Sequence, residues 1–334
     1  MTIKDLAIKT GYAVGTVSRA LNGHPNVSEK ARTAILAAAQ ECGFQLNQNA
    51  KQLKQIHSTN ILLVVKGTRN DLFAEMIEAI QGLVAETPYQ LAVDYMDEDS
   101  NEVLRALRLI PEKKPLGILF LGGNTGNFAE HFAAIDVPCV LVTSDASQLP
   151  FENLSSVTID DRQAACEALE LLISLGHRNI AVIGGDPAIS DTSRLRMDGC
   201  LDAFRSRGIP FDPEKSYRAV RYSYQGGYEA AQDLLSQGQN FTAIFAAADV
   251  IAIGAIRALA EHGLKVPEDV SVMGVDGLPL GSYLVPRLAT VGQNVRDLAK
   301  RSLQVLLAAI EDSTPARHEI VPYAIVQRES IRQK

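Results

Sequence analysis

Residues 16–32 read TVSRALNGHPNVSEKAR, and this stretch decides what the first part of the chain is. Val17 and Leu21 stand four apart, the spacing that puts two side chains on one helical face. They predict a short helix over Val14–Leu21 that stops at Asn22-Gly23. Pro25 falls in the following loop, Ser28 offers a hydroxyl to cap a third helix, and Ala31, Ile35, Ala38 and Ala39 make that helix's inner face. Upstream, Thr2-Ile3-Lys4-Asp5 sets a hydroxyl at a helix start with an acid three residues on, a variant of the capping box. Ile3, Leu6 and Ala7 then give one more amphipathic helix, ended by the turn at Gly11. Two short helices about a tight glycine turn form a helix-turn-helix. Ala7 is small where the helices must cross, Val17 and Leu21 plug the core, and Val14, Gly15, Ser18 and Arg19 are left facing outward.

Charge is spread unevenly around this motif. Residues 1–57 carry seven basic side chains against three acidic ones, net +4, whereas the whole chain is −7. A small basic head on a large acidic body points to polyanion binding at one end only. With 334 residues, 46% hydrophobic and 21% charged, the chain has the length and composition of a globular protein of two or three domains. The N-terminal MTIKDLAIKTG has charges where a signal peptide needs an apolar stretch, and no run approaches the length of a membrane span. Cys42, Cys139, Cys166 and Cys200 are far apart, which fits reduced cytosolic thiols and neither a disulfide framework nor a zinc site.

The opening stretch resembles the recognition-helix signature of the LacI/GalR family of bacterial transcription regulators. The resemblance implies that Val14, Gly15 and Arg19 occupy the positions that read base edges. Arg19 can make a two-pronged contact with guanine, and Val14 can touch a thymine methyl. Gly15 has nothing to read with and costs a helix about 1 kcal/mol relative to alanine, tolerable where the backbone gains a close approach. Thr16, Ser18, Asn22, Asn26 and Ser28 match positions that hold phosphates. Ala13 departs from the pattern, standing where the family usually has a helix-capping serine. Asn47–Lys54 is too polar and short for a stable helix alone. It resembles the family's hinge helix, which folds on DNA, pairs with its dimer mate and pushes a leucine into the minor groove. Asn47, Ala50 and Leu53 are the matching residues there, and an apolar wedge between base steps kinks DNA. Leu46 replaces a frequent proline.

From Asn60 onward, nine apolar strand-like runs alternate with amphipathic helical stretches, among them Ile61–Val65, Ile180–Gly184, Tyr217–Tyr222 and Val270–Val275. Such alternation implies parallel sheets with helices on both faces. So many strands suggest two doubly wound units. Three further stretches, LISLGHRNIAVIGG (172–185), HGLKVPEDVSVMGVDG (262–277) and VPYAIVQRESI (321–331), are similar to family hallmarks, so the resemblance runs end to end. It implies a periplasmic-binding-protein-like body: two α/β lobes joined by three crossovers near residues 160, 290 and 322, with a ligand in the cleft at strand C-termini. The expected layout is a helix-turn-helix head at 1–45, a hinge at 46–58 and an effector-binding and dimerisation body at 59–334. Lobe 1 takes about 59–160 and 291–321, lobe 2 about 161–290 and 322–334.

The effector residues implied by the resemblance are Arg196 in SRLRMDG, Asp276 in MGVDG, the aromatic Phe73 and Tyr222, and the polar Thr143 and Gln293. Arg196 matches the arginine that grips sugar hydroxyls or a carboxylate with its fork of donors, and Asp276 matches an acceptor of ligand hydroxyls. Asp249 follows a strand and opens a helix, which reads as an N-cap. Ala248 stands where the family usually holds hydroxyls with asparagine. An enzyme is the rival class, but LGGNTGNF (121–128) lacks the lysine of a phosphate loop and reads as a βα turn. No HExxH or GxSxG occurs, and the histidines are scattered. The sequence thus predicts a cytoplasmic, cofactor-free, homodimeric repressor of a carbohydrate operon, partnered by operator double-stranded DNA and a sugar-like effector. A corepressor-type regulator answering a non-sugar molecule or a protein is the alternative.

Overall fold

The computed structural model describes residues 3–21, 27–42, 59–67, 70–238 and 240–334. The chain divides into two compact units, a head at 1–57 and a body at 58–334.

In the head, helices span Ile3–Thr10, Val14–Leu21 and Glu29–Glu41. Gly11 makes the turn between the first two at φ +70°, a conformation that favours glycine, and its N–H donates to Ala7 O at 2.9 Å. Leu6, Val17 and Ile35 are fully buried, with Ala7, Ala20, Ala31 and Ala39 filling between them. The core differs from expectation in one detail: Ala20, not Leu21, sits at its centre. Leu21 is the last residue of its helix, where the packing surface ends, and it lies with Ala38 at the core's rim. Ser28 caps the third helix, its Oγ accepting from Ala31 N. Ala13 gives the second helix only its carbonyl, which takes the N–H groups of Thr16 and Val17 at 2.8 and 3.0 Å.

The body has twelve strands among the described residues: β1 Asn60–Lys66, β2 Gln90–Met96, β3 Gly117–Leu121, β4 Cys139–Val142, β5 Leu154–Thr158, β6 Ile180–Gly184, β7 Tyr217–Ala219, β8 Ala243–Ala246, β9 Ser271–Asp276, β10 Ala289–Gln293, β11 His318–Ile320 and β12 Tyr323–Val326. They form two six-stranded sheets ordered β2-β1-β3-β4-β5-β11 and β7-β6-β8-β9-β10-β12. Every pairing is parallel except β10 with β12. Both sheets repeat one doubly wound plan, with strand order reversing beside β1 in the first and β6 in the second. Ile61–Val65 are buried throughout, as befits a parallel strand covered on both faces.

The chain passes between the sheets three times: after β5, between β10 and the Val295–Asp312 helix, and between β11 and β12. That helix packs against the Asp71–Ala85 helix and the first sheet. Helices Tyr224–Ser236 and Asp249–Glu261 cross with backbones touching. A Cβ on Gly227 would lie 2.1 Å from Ile251 O, and one on Gly254 would lie 2.0 Å from Tyr224 O, so only glycine fits at the crossing. No helix among the described residues is long and apolar enough to cross a membrane.

Candidate functional site

The head offers one face free of core duties. On the Val14–Leu21 helix, Val17 and Ala20 turn inward, while Val14 (46% exposed), Gly15 and Arg19 face outward. Thr16 and Ser18 are half-buried at the edges of this face, and Ser28 lies exposed at the start of the next helix. A Cβ added to Gly15 would meet nothing within 4 Å, so packing gives no reason for a glycine there. Asn22, Asn26, Asn47, Ala50 and Leu53 lie outside the described residues.

The body carries a cavity of about 660 Å³ between its two sheets, at the C-terminal ends of their strands. Phe73, Thr143, Arg196, Tyr222, Asp276 and Gln293 all line it. The structure brings together six residues spread over 220 positions of sequence. This is the crevice at which open α/β sheets take ligands, here made double by two facing sheets. Phe73 comes from the Asp71–Ala85 helix of the first lobe, and its ring closes on Gly122 after β3. Tyr222, just past β7, has its hydroxyl 2.9 Å from Ser193 Oγ. The strand expected to run to Tyr222 ends at Ala219, and this early end is what frees Val220–Tyr222 to form cavity wall.

Two of the cavity residues are conformational outliers. Thr143 has φ +70° and Asp276 φ +120°, regions a side chain enters at a cost of order 1–3 kcal/mol. Such strain collects at ligand sites, and both residues line this crevice.

A polar network runs from the cavity wall into the interior. Arg196 is buried, not the helix-surface arginine its amphipathic setting would allow. Its Nε donates to Asp161 Oδ1 at 2.8 Å, Nη1 donates to Ala247 O, and Asp276 Oδ1 lies 3.9 Å from Nη1. Gln293 Nε2 donates to the same Asp276 oxygen at 2.9 Å. Burial pushes the Asp276 carboxyl up to about 7, against the pull of Arg196. Asp249 is not the N-cap that its position suggested. Ala248 occupies the cap without a side-chain bond, and Asp249, the helix's first residue, is fully buried. It accepts from Thr290 Oγ1 at 2.7 Å and Leu278 N at 2.7 Å, tying three strand ends together. Burial and the nearby Asp276 charge push its carboxyl up to about 8. Ala248 is buried too and is no part of the cavity wall.

The lobes also touch directly across the crevice. Asp191 Oδ2 accepts from both N and Oγ1 of Thr125, at 2.7 and 2.6 Å, and Asn124 Nδ2 donates to Ile189 O at 2.7 Å. On the other rim Arg221 pairs with Asp97 at 3.3 Å, with Glu98 at 3.1 Å and with Asp99, and Tyr224 donates to Asp71. Asn124-Thr125 belong to the LGGNTGNF stretch, which is indeed a βα turn, Asn124 capping the Thr125–His131 helix. Sequence reasoning missed Glu102, Asp161, Asp191 and the 97–99 acidic run. Their partners lie from 22 to 124 residues away, beyond any local pattern.

A helix-turn-helix with an unused outward face, joined to a two-lobed body closed over a polar cavity, is a DNA-binding protein governed by a small ligand. Residues 2–47 match the bacterial regulatory proteins of the lacI family, and residues 141–331 match the periplasmic binding protein-like domain. The chain belongs to the lacI family of bacterial regulators. It is 33% identical to the HTH-type transcriptional regulator MalR of Clostridium butyricum, over 99% of each chain. It is 30% identical to catabolite control protein A of Priestia megaterium, again over 99% of each. Among solved structures it resembles the lac repressor dimer bound to operator and the anti-inducer ONPF, with TM-score 0.73 and 26% identity over 99% of each chain. The complex of the transcriptional regulator CelR with cellobiose is similar at TM-score 0.71 and 25% identity, also over 99% of each chain. The protein is therefore a transcription regulator with a DNA-binding head and a ligand-binding body, and not an enzyme.

Proposed function

We propose that the protein is a homodimeric repressor of a carbohydrate-utilisation operon, releasing or gripping its operator as a sugar or sugar-like ligand fills the body's cavity. Val14, Gly15 and Arg19 meet base edges, and Thr16, Ser18, Asn22, Asn26 and Ser28 hold phosphates. Asn47, Ala50 and Leu53 act in the hinge at 46–58, Leu53 as the minor-groove wedge. Phe73, Thr143, Arg196, Tyr222, Asp276 and Gln293 hold the effector. The observation that carries this reading is their convergence on one cavity spanned by inter-lobe hydrogen bonds. A ligand bound there changes how the two lobes stand, and it moves DNA affinity by whatever it prefers in one arrangement over the other. Relatives named for sugars, such as the ribose operon repressor of Haemophilus influenzae (29% identical over 99% of this chain), support a sugar as effector. A homodimer is supported by an exposed apolar loop in the second lobe, where Val285 is 98% and Tyr283 82% exposed beside Leu280. The test is operator binding by the full chain, titrated with a panel of sugars. At least one sugar should move the midpoint tenfold or more, and binding should weaken steeply with salt. Operator affinity indifferent to every sugar would overturn the effector assignment.

A further inference from the structure

Among the described residues, the cavity is lined by three cations, Lys66, Arg196 and Arg221. None of the three is free. Lys66 Nζ lies 2.6 Å from Glu102, a fully buried carboxylate that also accepts from Asn124 N at 2.6 Å and Asn127 Nδ2 at 3.0 Å. Arg196 is matched by buried Asp161. Arg221 is bound to Asp97, Glu98 and Asp99, and two more carboxylates, Asp186 and Asp276, line the same wall. Arg69 lies outside the described residues.

From this arrangement we infer that the cleft selects an uncharged polyhydroxy ligand and rejects phosphorylated and carboxylate sugars, the acidic run Asp97-Glu98-Asp99 at its mouth being the specificity determinant. The inference rests on the proposed effector site and adds the charge class of its ligand. An anionic ligand needs a donor cation whose charge is unspent, as phosphate and carboxylate sites ordinarily supply. Here a phosphate would meet Lys66 and Arg196 with their charges already balanced by the buried carboxylates of Glu102 and Asp161, so its own charge would go uncompensated beside the acidic wall. Low-dielectric walls also focus the excess negative charge into the crevice, repelling anions before contact. Neutral hydroxyls meet no such opposition. They donate to carboxylates such as Asp276 and accept from the remaining guanidinium N–H groups, leaving every ion pair in place.

Thermal-shift titration of the full-length protein with matched sugars tests this. The panel is glucose, ribose, maltose and cellobiose beside glucose 6-phosphate, ribose 5-phosphate and glucuronate. A neutral sugar should bind, with its anionic counterpart at least tenfold weaker. In D97N/D99N, at two side chains more than half exposed and remote from the core, the ratio of anionic to neutral affinity should rise at least threefold. Melting without ligand confirms that the variant folds. An anionic sugar binding as tightly as its neutral counterpart overturns the inference alone, as does a ratio unmoved in the variant. No shift from any sugar, with operator binding intact, overturns the effector assignment and this inference with it.

Discussion

The head and the body present their proposed functional residues in opposite ways. In the head they are the side chains that folding leaves unused: Val14, Gly15 and Arg19 face outward, and the core of Leu6, Val17 and Ile35 would pack as well without them. In the body they are side chains that folding could not do without. Arg196, Asp161 and Asp276 are buried, Arg196 lies beside both carboxylates and Asp276 holds an outlying backbone angle, so the proposed ligand site and the fold share the same atoms. A polyanion is met by exposed, hydrated groups that need no preorganised interior. A small ligand is met by desolvated groups that must be held in place by others. Mutations should therefore separate binding from stability in the head and be unable to do so at the buried Arg196, Asp161 and Asp276 of the body.

The largest expected effect concerns how the two regions depend on each other. A head this small makes few contacts on one half-site, and pairing through the body adds the second. Y283D/V285D puts charges into the exposed apolar loop and should convert dimers to monomers in sedimentation. Operator affinity should drop by about 10²–10⁴ through lost bivalency, with head and body still folded. A variant that stays dimeric would place the interface elsewhere on the body.

Next in size is the contrast between two arginines. Arg196→Ala leaves Asp161 buried and uncompensated, which costs about 3–5 kcal/mol of body stability. The same change should abolish the response to effector. Arg19→Ala should leave calorimetric unfolding unchanged and weaken operator binding by about 1–3 kcal/mol. If Arg196→Ala melts like wild type, the body's site is not the structural member that its burial indicates.

The same contrast decides what could be read from sequence. The Val14–Leu21 helix was legible to the residue because spacing, a glycine stop and outward polarity all act locally. β1 and β6 were legible as unbroken apolar runs. β10, β11 and β12 were not read as strands. Ala289–Gln293 contains glycine and ends polar, His318–Ile320 is three residues on an edge, and Tyr323–Val326 is a half-buried antiparallel addition at the other sheet's edge. In the cleft, Arg196 and Asp276 were reached only through the family resemblance. Asp249 looked like a helix cap, and Asp161 and Asp97-Glu98-Asp99 gave no local signal at all, because the cations and hydroxyls that give them meaning arrive from far along the chain.

Protonation tests the body on its own. Asp276 and Asp249 have their carboxyls raised to about 7 and about 8, from an ordinary 3.8, by burial first. Between those limits the folded body keeps protons that the unfolded chain releases. Their favourable contribution is complete below about pH 4 and is lost as pH rises through 7 and 8. Body melting, followed from pH 5 to pH 9, should therefore decline, and less steeply in D249N/D276N. Parallel curves would show that neither carboxyl titrates there.

The smallest effect is the cleanest. Gly15 sits within a helix of eight residues, at an exposed position whose Cβ would touch nothing. Packing does not require glycine, the backbone there is not left-handed, and glycine in a helix interior costs about 1 kcal/mol relative to alanine. The helix also begins without a side-chain cap at Ala13, so it has little stability to spare. Gly15→Ala should stabilise the head by about 1 kcal/mol in denaturant unfolding of the head transition. Repressor function gives the only remaining reason for the glycine: a backbone brought closer to the base edges than a methyl permits. The same substitution should then weaken operator binding even as the head grows more stable, reversing the usual sign between the two. Tighter operator binding in Gly15→Ala would show that no close approach occurs at this position, and that Val14 and Arg19 read the bases without it.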